Sequence, residues 1–304
     1  AAYYNKNVTI IRFPDLTRRY NYGYFRRFLM SDINMGYMAT MYSRIMPDCY
    51  MACLWPIAGR KKIADVTDLI SGYGDIIYSQ DVYLTYRGIC NFMTHCYGHQ
   101  AWTGNIDNHF SGVEACASGC YDSRYPVHTY LFQCKNFNHV LHLKQEIRSI
   151  FGLGNHSVHI GDNSEETLMM TRLLYNPNSV QVLNNAEMFK YGMVFKKVNE
   201  LKNLMALNYR ESDRFIIDSS SVLEVCGLRQ ARDVDYLTDY AGESFCTDTK
   251  NIDNHDTQLP FHSVSVKDML YNPENHFYFN DMKFLSVKRL IEMKEKRNEP
   301  KDKK

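Results

Sequence analysis

The run Asp233-Val234-Asp235 holds the residues of this chain best suited to chemistry. Two carboxylates separated by one residue on a strand project from the same face. Alone they repel. A divalent cation between them removes the repulsion, and Mg²⁺ or Mn²⁺ fits such hard oxygen ligands. Val234 and Leu237 are apolar and would seat the strand in a core. Upstream, Phe215-Ile216-Ile217-Asp218-Ser219-Ser220-Ser221 reads as a short strand running into a serine-rich turn ahead of a helix. Backbone N–H groups and hydroxyls of such a turn can hold a phosphate, with Ser219 and Ser220 as the candidates. Arg229 and Arg232 lie between turn and acid pair and suit phosphate oxygens. Asp253 or Asp256, from a polar loop that also contains Asp248, Asn254 and His255, would supply a third carboxylate.

Candidates for acid–base work lie earlier. His159 and Asp162 fall where a strand should end, a place that can hold a general base. Asp162-Asn163-Ser164-Glu165 is also a good helix start, in which Asp162 or Asn163 caps and Glu165 or Glu166 occupies the first turn. His99 and Trp102 share a glycine-bounded loop. The tryptophan could stack on a sugar or base of the donor, or pack in a core. Asp107 and His109 could act as base or ligand, although Asp107-Asn108 is also ordinary capping sequence.

The elements that would carry these residues follow from hydrophobic periodicity. Apolar spacing from Tyr22 to Met46 is mostly helical and closes at Pro47, within an aromatic and basic stretch (Tyr20, Tyr22, Tyr24, Phe25, Arg26, Arg27, Phe28). Ile63, Val66, Leu69 and Ile70 predict a helix, stopped by Gly72 and Gly74. Strand 75–84, helix 86–97 and a short helix over 110–120 follow. Between 127 and 185 the pattern reads strand 127–134, helix 136–151, strand 156–160, helix 164–175 and strand 179–183. That alternation predicts a mixed or parallel sheet with packed helices, whose ligand edge would be the strand ends at Gln133-Cys134-Lys135, Gly161-Asp162-Asn163 and Asn184-Asn185. A charged helical connector spans 187–212. Strand 215–217, helix 220–226 and strand 233–237 come next, and helices near 266–270 and 287–296 end the chain. The expected organisation is an aromatic/basic segment over 1–61, an α/β domain over 62–186, the connector, and a second α/β domain over 213–304. The fold class is α/β in the broad sense that includes α+β.

Composition limits the functions open to these parts. The 304 residues hold 35 Lys+Arg against 34 Asp+Glu, a formal charge of +1, which excludes a polycationic nucleic-acid coat. A hydrophobic content of 45% excludes a disordered acidic tail. No apolar run is long enough to span a membrane. Nine cysteines, an odd count without a Cys-x-x-Cys pair, read as free buried thiols and point to a reducing, cytoplasmic compartment. The chain starts at Ala1 without a visible leader and reads as a segment of a larger protein.

The strand, small-residue turn, helix and acid-apolar-acid strand resemble the nucleotidyltransferase superfamily, whose fold is shared with the polymerase-β palm. The resemblance covers the last hundred residues or so. Ser220, with Ser219, takes the small-turn position, and Asp233 and Asp235 take the acid pair. The glycine expected in that turn is absent, since Asp218 and Ser219 precede Ser220. The ending Met293–Asp302 looks like the terminal helix of some members. The block NHSVHIGDNSEET followed by NSVQVLNN is similar to proteins of large DNA viruses and capsule loci, including chlorovirus capsid-glycan glycosyltransferases with a domain assigned to xylose transfer. These resemblances imply a metal-dependent glycosyltransferase taking a nucleotide sugar such as UDP-xylose to a glycan acceptor, acting in the host cytoplasm if viral. His159, Asp162, His99 or Asp107 would serve as base. The alternatives are a nucleotidyltransferase moving an NMP to a hydroxyl and a non-catalytic nucleotide or interaction module.

Overall fold

The computed structural model describes residues 35–240 and 251–300. The Tyr20–Phe28 stretch, most of the helix expected over Tyr22–Met46, Cys246 and Asp248 lie outside them. The described residues form two compact units. One runs to His99 and resumes over Gly112–Tyr175; the other comprises Gln100–Ser111 and the chain from Asn176 onward. The connector helix thus belongs to the second unit, and the division comes at Tyr175/Asn176.

The first unit holds helix α1 (Met35–Ile45), β1 (Cys49–Leu54), α2 (Ile63–Tyr73), β2 (Asp75–Val82), α3 (Tyr86–Tyr97), α4 (Val113–Cys120), β3 (Val127–Gln133), α5 (Phe137–Phe151), β4 (Val158–Ile160) and α6 (Ser164–Leu174). Its sheet runs β2-β3-β1-β4, and all three pairings are antiparallel. The mixed or parallel sheet expected here is therefore corrected. An antiparallel sheet has no common carboxyl edge, so the expected ligand edge does not form. β1 is buried along its whole length. Tyr50, Ala52 and Leu54 pack with Val66 and Ile70 of α2 and Val140, Leu143 and Ile147 of α5. Just beyond the strand, buried Trp55 meets Phe92 of α3 edge to face at 5.9 Å. Side chains of this size contribute roughly 1.5–3 kcal/mol each on burial. Asparagines start the helices: Asn136 accepts the amide of Asn138 at α5 and Asn163 that of Glu166 at α6.

The second unit holds α7 (Pro177–Asn185), α8 (Met193–Leu207), β5 (Phe215–Asp218), α9 (Ser220–Val225), β6 (Val234–Thr238), β7 (Ile252–Asn254), α10 (Val266–Tyr271), β8 (His276–Phe279), β9 (Met282–Leu285) and α11 (Val287–Arg297). The strand expected over 179–183 is instead α7. Asn176 caps it through the amide of Ser179 at 2.8 Å, and Pro177 sits in its first turn, where a missing N–H costs nothing. The five-stranded sheet runs β7-β6-β5-β9-β8. β5 pairs antiparallel with β6 and parallel with β9; β6 pairs parallel with β7. Phe215, Ile216, Ile217, Val234, Tyr236 and Leu237 are fully buried and hold the two central strands in the core.

Among the described residues no helix is long and apolar enough to cross a membrane. The eight described cysteines are free, and Cys49, Cys53, Cys96, Cys120 and Cys134 are buried. Burial pushes the Cys49 thiol up to about 12, with Asp48 adding to it, so this thiol is protonated at neutral pH.

Candidate functional site

The acids of the second unit are aligned by its sheet. β5 ends at Asp218, which faces Asp235 of β6 in register, and Asp235 faces Asp253 of β7. Residues paired across strands share a face, so three carboxylates lie side by side on neighbouring strands. Asp233 directly precedes β6 and lines the same cavity as Asp235. Asp253, for which the sequence showed no clear strand, stands on a three-residue strand parallel to β6.

Ser219 turns the chain from β5 into α9. Its φ of 59° and ψ of −131° correspond to a conformation dominated by glycine. The glycine missing from the sequence pattern is thus replaced by a serine held in a glycine-like backbone. Ser221 ties the start of α9 to β6 by donating to the Asp233 carbonyl at 3.1 Å. At the far end of α9, Gly227 takes φ +75° with Glu187 close on its open side, and the loop carrying Arg229 and Arg232 follows.

A cavity of about 720 Å³ opens on these elements. Asp233, Asp235 and Asp253 form its acidic side, Ser219 and Ser220 its turn, and Arg229, Gln230 and Arg232 one flank. Lys294 and Arg297, three apart near the end of α11, add a second cationic flank, and His255 completes the lining. Ser219, Ser220, Arg229, Arg232, Asp233, Asp235 and Asp253, all singled out in the sequence, therefore line one cavity, whereas Asp256, the other candidate for the third carboxylate, does not.

The electrostatics follow from burial. Asp235 is pushed up to about 6, first by desolvation, then by the charges of Asp233 and Asp218, with His255 opposing. Asp218 is fully buried. Burial opposes its charge, but the hydrogen bond with His255, the His262 imidazole 3.3 Å away and the Ser219 amide hold it well below the usual carboxylate range. Burial acts to lower His255, yet Asp218 and Asp235 raise it above the ordinary histidine value.

Among the described residues no three His, Cys, Asp or Glu side chains converge closely enough to hold a metal ion by themselves. The donor set still fits the divalent cation implied by the resemblance. Mg²⁺ is commonly bound by one or two carboxylates, with substrate phosphates and water completing its shell. Burial and, after it, the Asp233 and Asp218 charges raise Asp235, and a cation would offset both. Asp233 and Asp235, with Asp253 beside them, are the residues that would hold it.

The acid–base candidates of the first half are placed elsewhere. His159 lies inside β4 and is buried, with Nδ1 2.8 Å from the Tyr97 hydroxyl and Nε2 3.0 Å from Glu166. Glu166 also accepts the Asp162 amide at 2.7 Å. Exposed Asp162 meets Lys144 at 3.2 Å. These residues close the start of α6, and Asn163 is its cap. His99 is exposed. Asp107 pairs with Lys196 at 2.8 Å, in a turn capped reciprocally by Asn105 and Asn108. His109 Nδ1 is 3.0 Å from the Phe189 carbonyl. Trp102 is half exposed and donates to Gln100 at 2.6 Å. Asp107, His109 and Trp102 share the second unit but do not line its cavity, and His159, Asp162 and His99 belong to the first unit. The sequence did not single out His255, His262, Lys294 or Arg297 for the site. Two histidines flanking Asp256–Phe261, and a basic pair spaced by one helical turn, were the available signals.

No protein-family profile matches this chain, and it matches no curated protein sequence.

Proposed function

We propose that the second unit binds a nucleoside triphosphate together with a divalent cation and transfers the nucleotidyl group to a hydroxyl of the acceptor. The observation that carries this reading is the in-register placement of Asp235 and Asp253, with Asp233 beside them, in one cavity with the strained Ser219 turn. A third carboxylate on a later strand is what the resemblance to nucleotidyltransferases calls for. The cation would supply charge neutralisation at the phosphates.

The chain's own groups divide the remaining tasks. Ser219 and Ser220 bind phosphate oxygens at the turn. Arg229 and Arg232 pair with the same chain of phosphates and counter the charge that develops on departing pyrophosphate. Asp253, exposed at the cavity wall, takes the proton of the acceptor hydroxyl as its oxygen attacks the α-phosphorus. The bond to the β-phosphate oxygen then breaks and pyrophosphate leaves.

Glycosyl transfer from a nucleotide sugar, implied by the viral resemblance, would use the same acids on a diphosphate. Its expected bases were His159, Asp162, His99 and Asp107; of these Asp107 belongs to the same unit as the cavity and does not line it. Product analysis separates the two. With Mn²⁺ and a panel of nucleoside triphosphates and nucleotide sugars, the expected product is pyrophosphate, reduced at least 100-fold by Asp235→Ala. Release of a nucleoside diphosphate from a nucleotide sugar, with no pyrophosphate, would replace this reading with glycosyl transfer.

A further inference from the structure

Ser219 occupies a backbone conformation that side-chain-bearing residues rarely adopt, so surrounding structure must hold it there. The residues doing so converge on one carboxylate. Asp218 Oδ1 accepts the amide of Ser219 itself. Asp218 Oδ2 lies 3.4 Å from His255 Nδ1 and 3.3 Å from His262 Nε2. The Ser219 hydroxyl is 3.2 Å from the same His255 nitrogen. His255 and His262 bracket the six-residue 3-10 helix Asp256–Phe261, one at each end, and His255 directly follows β7. One buried carboxylate therefore fixes the serine turn and both ends of the segment behind the acid-bearing strand.

We infer that Asp218 is a positioning residue that substitutes for the missing glycine. It locks Ser219 into the turn conformation that presents the cavity's phosphate-binding groups, working through the Ser219 amide and the His255/His262 pair. This rests on the reading of the cavity as a phosphate site. It assigns to Asp218 no contact with substrate.

The inference predicts a coupling between two positions. A glycine at 219 adopts this turn without help, so loss of the carboxylate should matter only when serine is present. The probe is inorganic triphosphate with Mn²⁺, titrated by calorimetry into the full chain. Wild type, Asp218→Asn, Ser219→Gly and the double variant form a double-mutant cycle. Asp218→Asn is expected to weaken triphosphate binding at least 10-fold with serine at 219 and less than 3-fold with glycine there. Equal losses in both backgrounds, or no loss in either, would overturn the inference. If Asp218→Asn does not fold, recovery of a folded, triphosphate-binding protein by adding Ser219→Gly supports it, and failure to recover overturns it. A wild type that binds no triphosphate contradicts the phosphate reading itself and removes the inference with it. A wild type that binds while the cycle is additive contradicts the inference alone.

Discussion

Asp235 is the residue at which the proposed function and stability conflict most directly. Its carboxyl titrates at about 6 in the folded chain, against an ordinary aspartate value of about 3.9. The folded state therefore holds this proton more tightly than the unfolded state. Stability from this group is intact below about pH 4 and is lost as pH rises through 6. The rise to about 6 corresponds to roughly 3 kcal/mol at neutral pH. Asn at this position cannot ionise. Without divalent metal, Asp235→Asn is expected to melt a few degrees above wild type near pH 7.5 and close to it near pH 4. Scanning fluorimetry in EDTA at both pH values checks this. An equal or lower melting temperature at pH 7.5 would show that the buried charge is already neutralised within the protein.

At the scale of elements, the site loop depends on a second buried carboxylate. Glu224 of α9 is almost fully buried and accepts the amide of Val194 at the start of α8 and that of Ala231 beside Arg232, each at 2.7 Å. It closes a helix N-terminus and the arginine loop together. Glu224→Ala would leave two buried N–H groups without an acceptor, at about 1–3 kcal/mol each. A loss of about 2–5 kcal/mol in urea unfolding is expected, and a change below 0.5 kcal/mol would show that water or backbone replaces the carboxylate. The elements of this site were legible in the sequence because β5, α9 and β6 follow in order with apolar residues at the right period. Other elements were not. β1 is buried on both faces, so Cys49–Leu54 shows no alternation to mark it as a strand. α7 carries Val180, Val182 and Leu183 in a window too short to separate the two periods, and its Asn-Pro start was the better guide. The β8–β9 hairpin turns on Asn280 and Asp281, both at positive φ, a two-residue signature that the flanking apolar runs would have supported. Asp253 reached the site through β7, whose three residues are too few for any pattern.

For the whole molecule, the near-zero charge of the chain has a local counterpart. The cavity sets Asp233, Asp235 and Asp253 against Arg229, Arg232, Lys294 and Arg297, so under the proposed reading phosphate would be held by placed groups and a cation instead of bulk positive charge. The two units divide the sequence-level candidates accordingly. The phosphate and metal candidates gather in the second unit, and His159 with Asp162 serves the packing of the first. The claim that joins these findings is that the carboxylates of β6 and β7 hold a metal–nucleotide complex. Calorimetric titration of nucleoside triphosphates with Mn²⁺ into wild type and the Asp233→Ala/Asp235→Ala double variant tests it most directly. The account predicts binding by wild type that EDTA abolishes and that the double variant loses at least 100-fold; metal-dependent binding that survives in the double variant would contradict it.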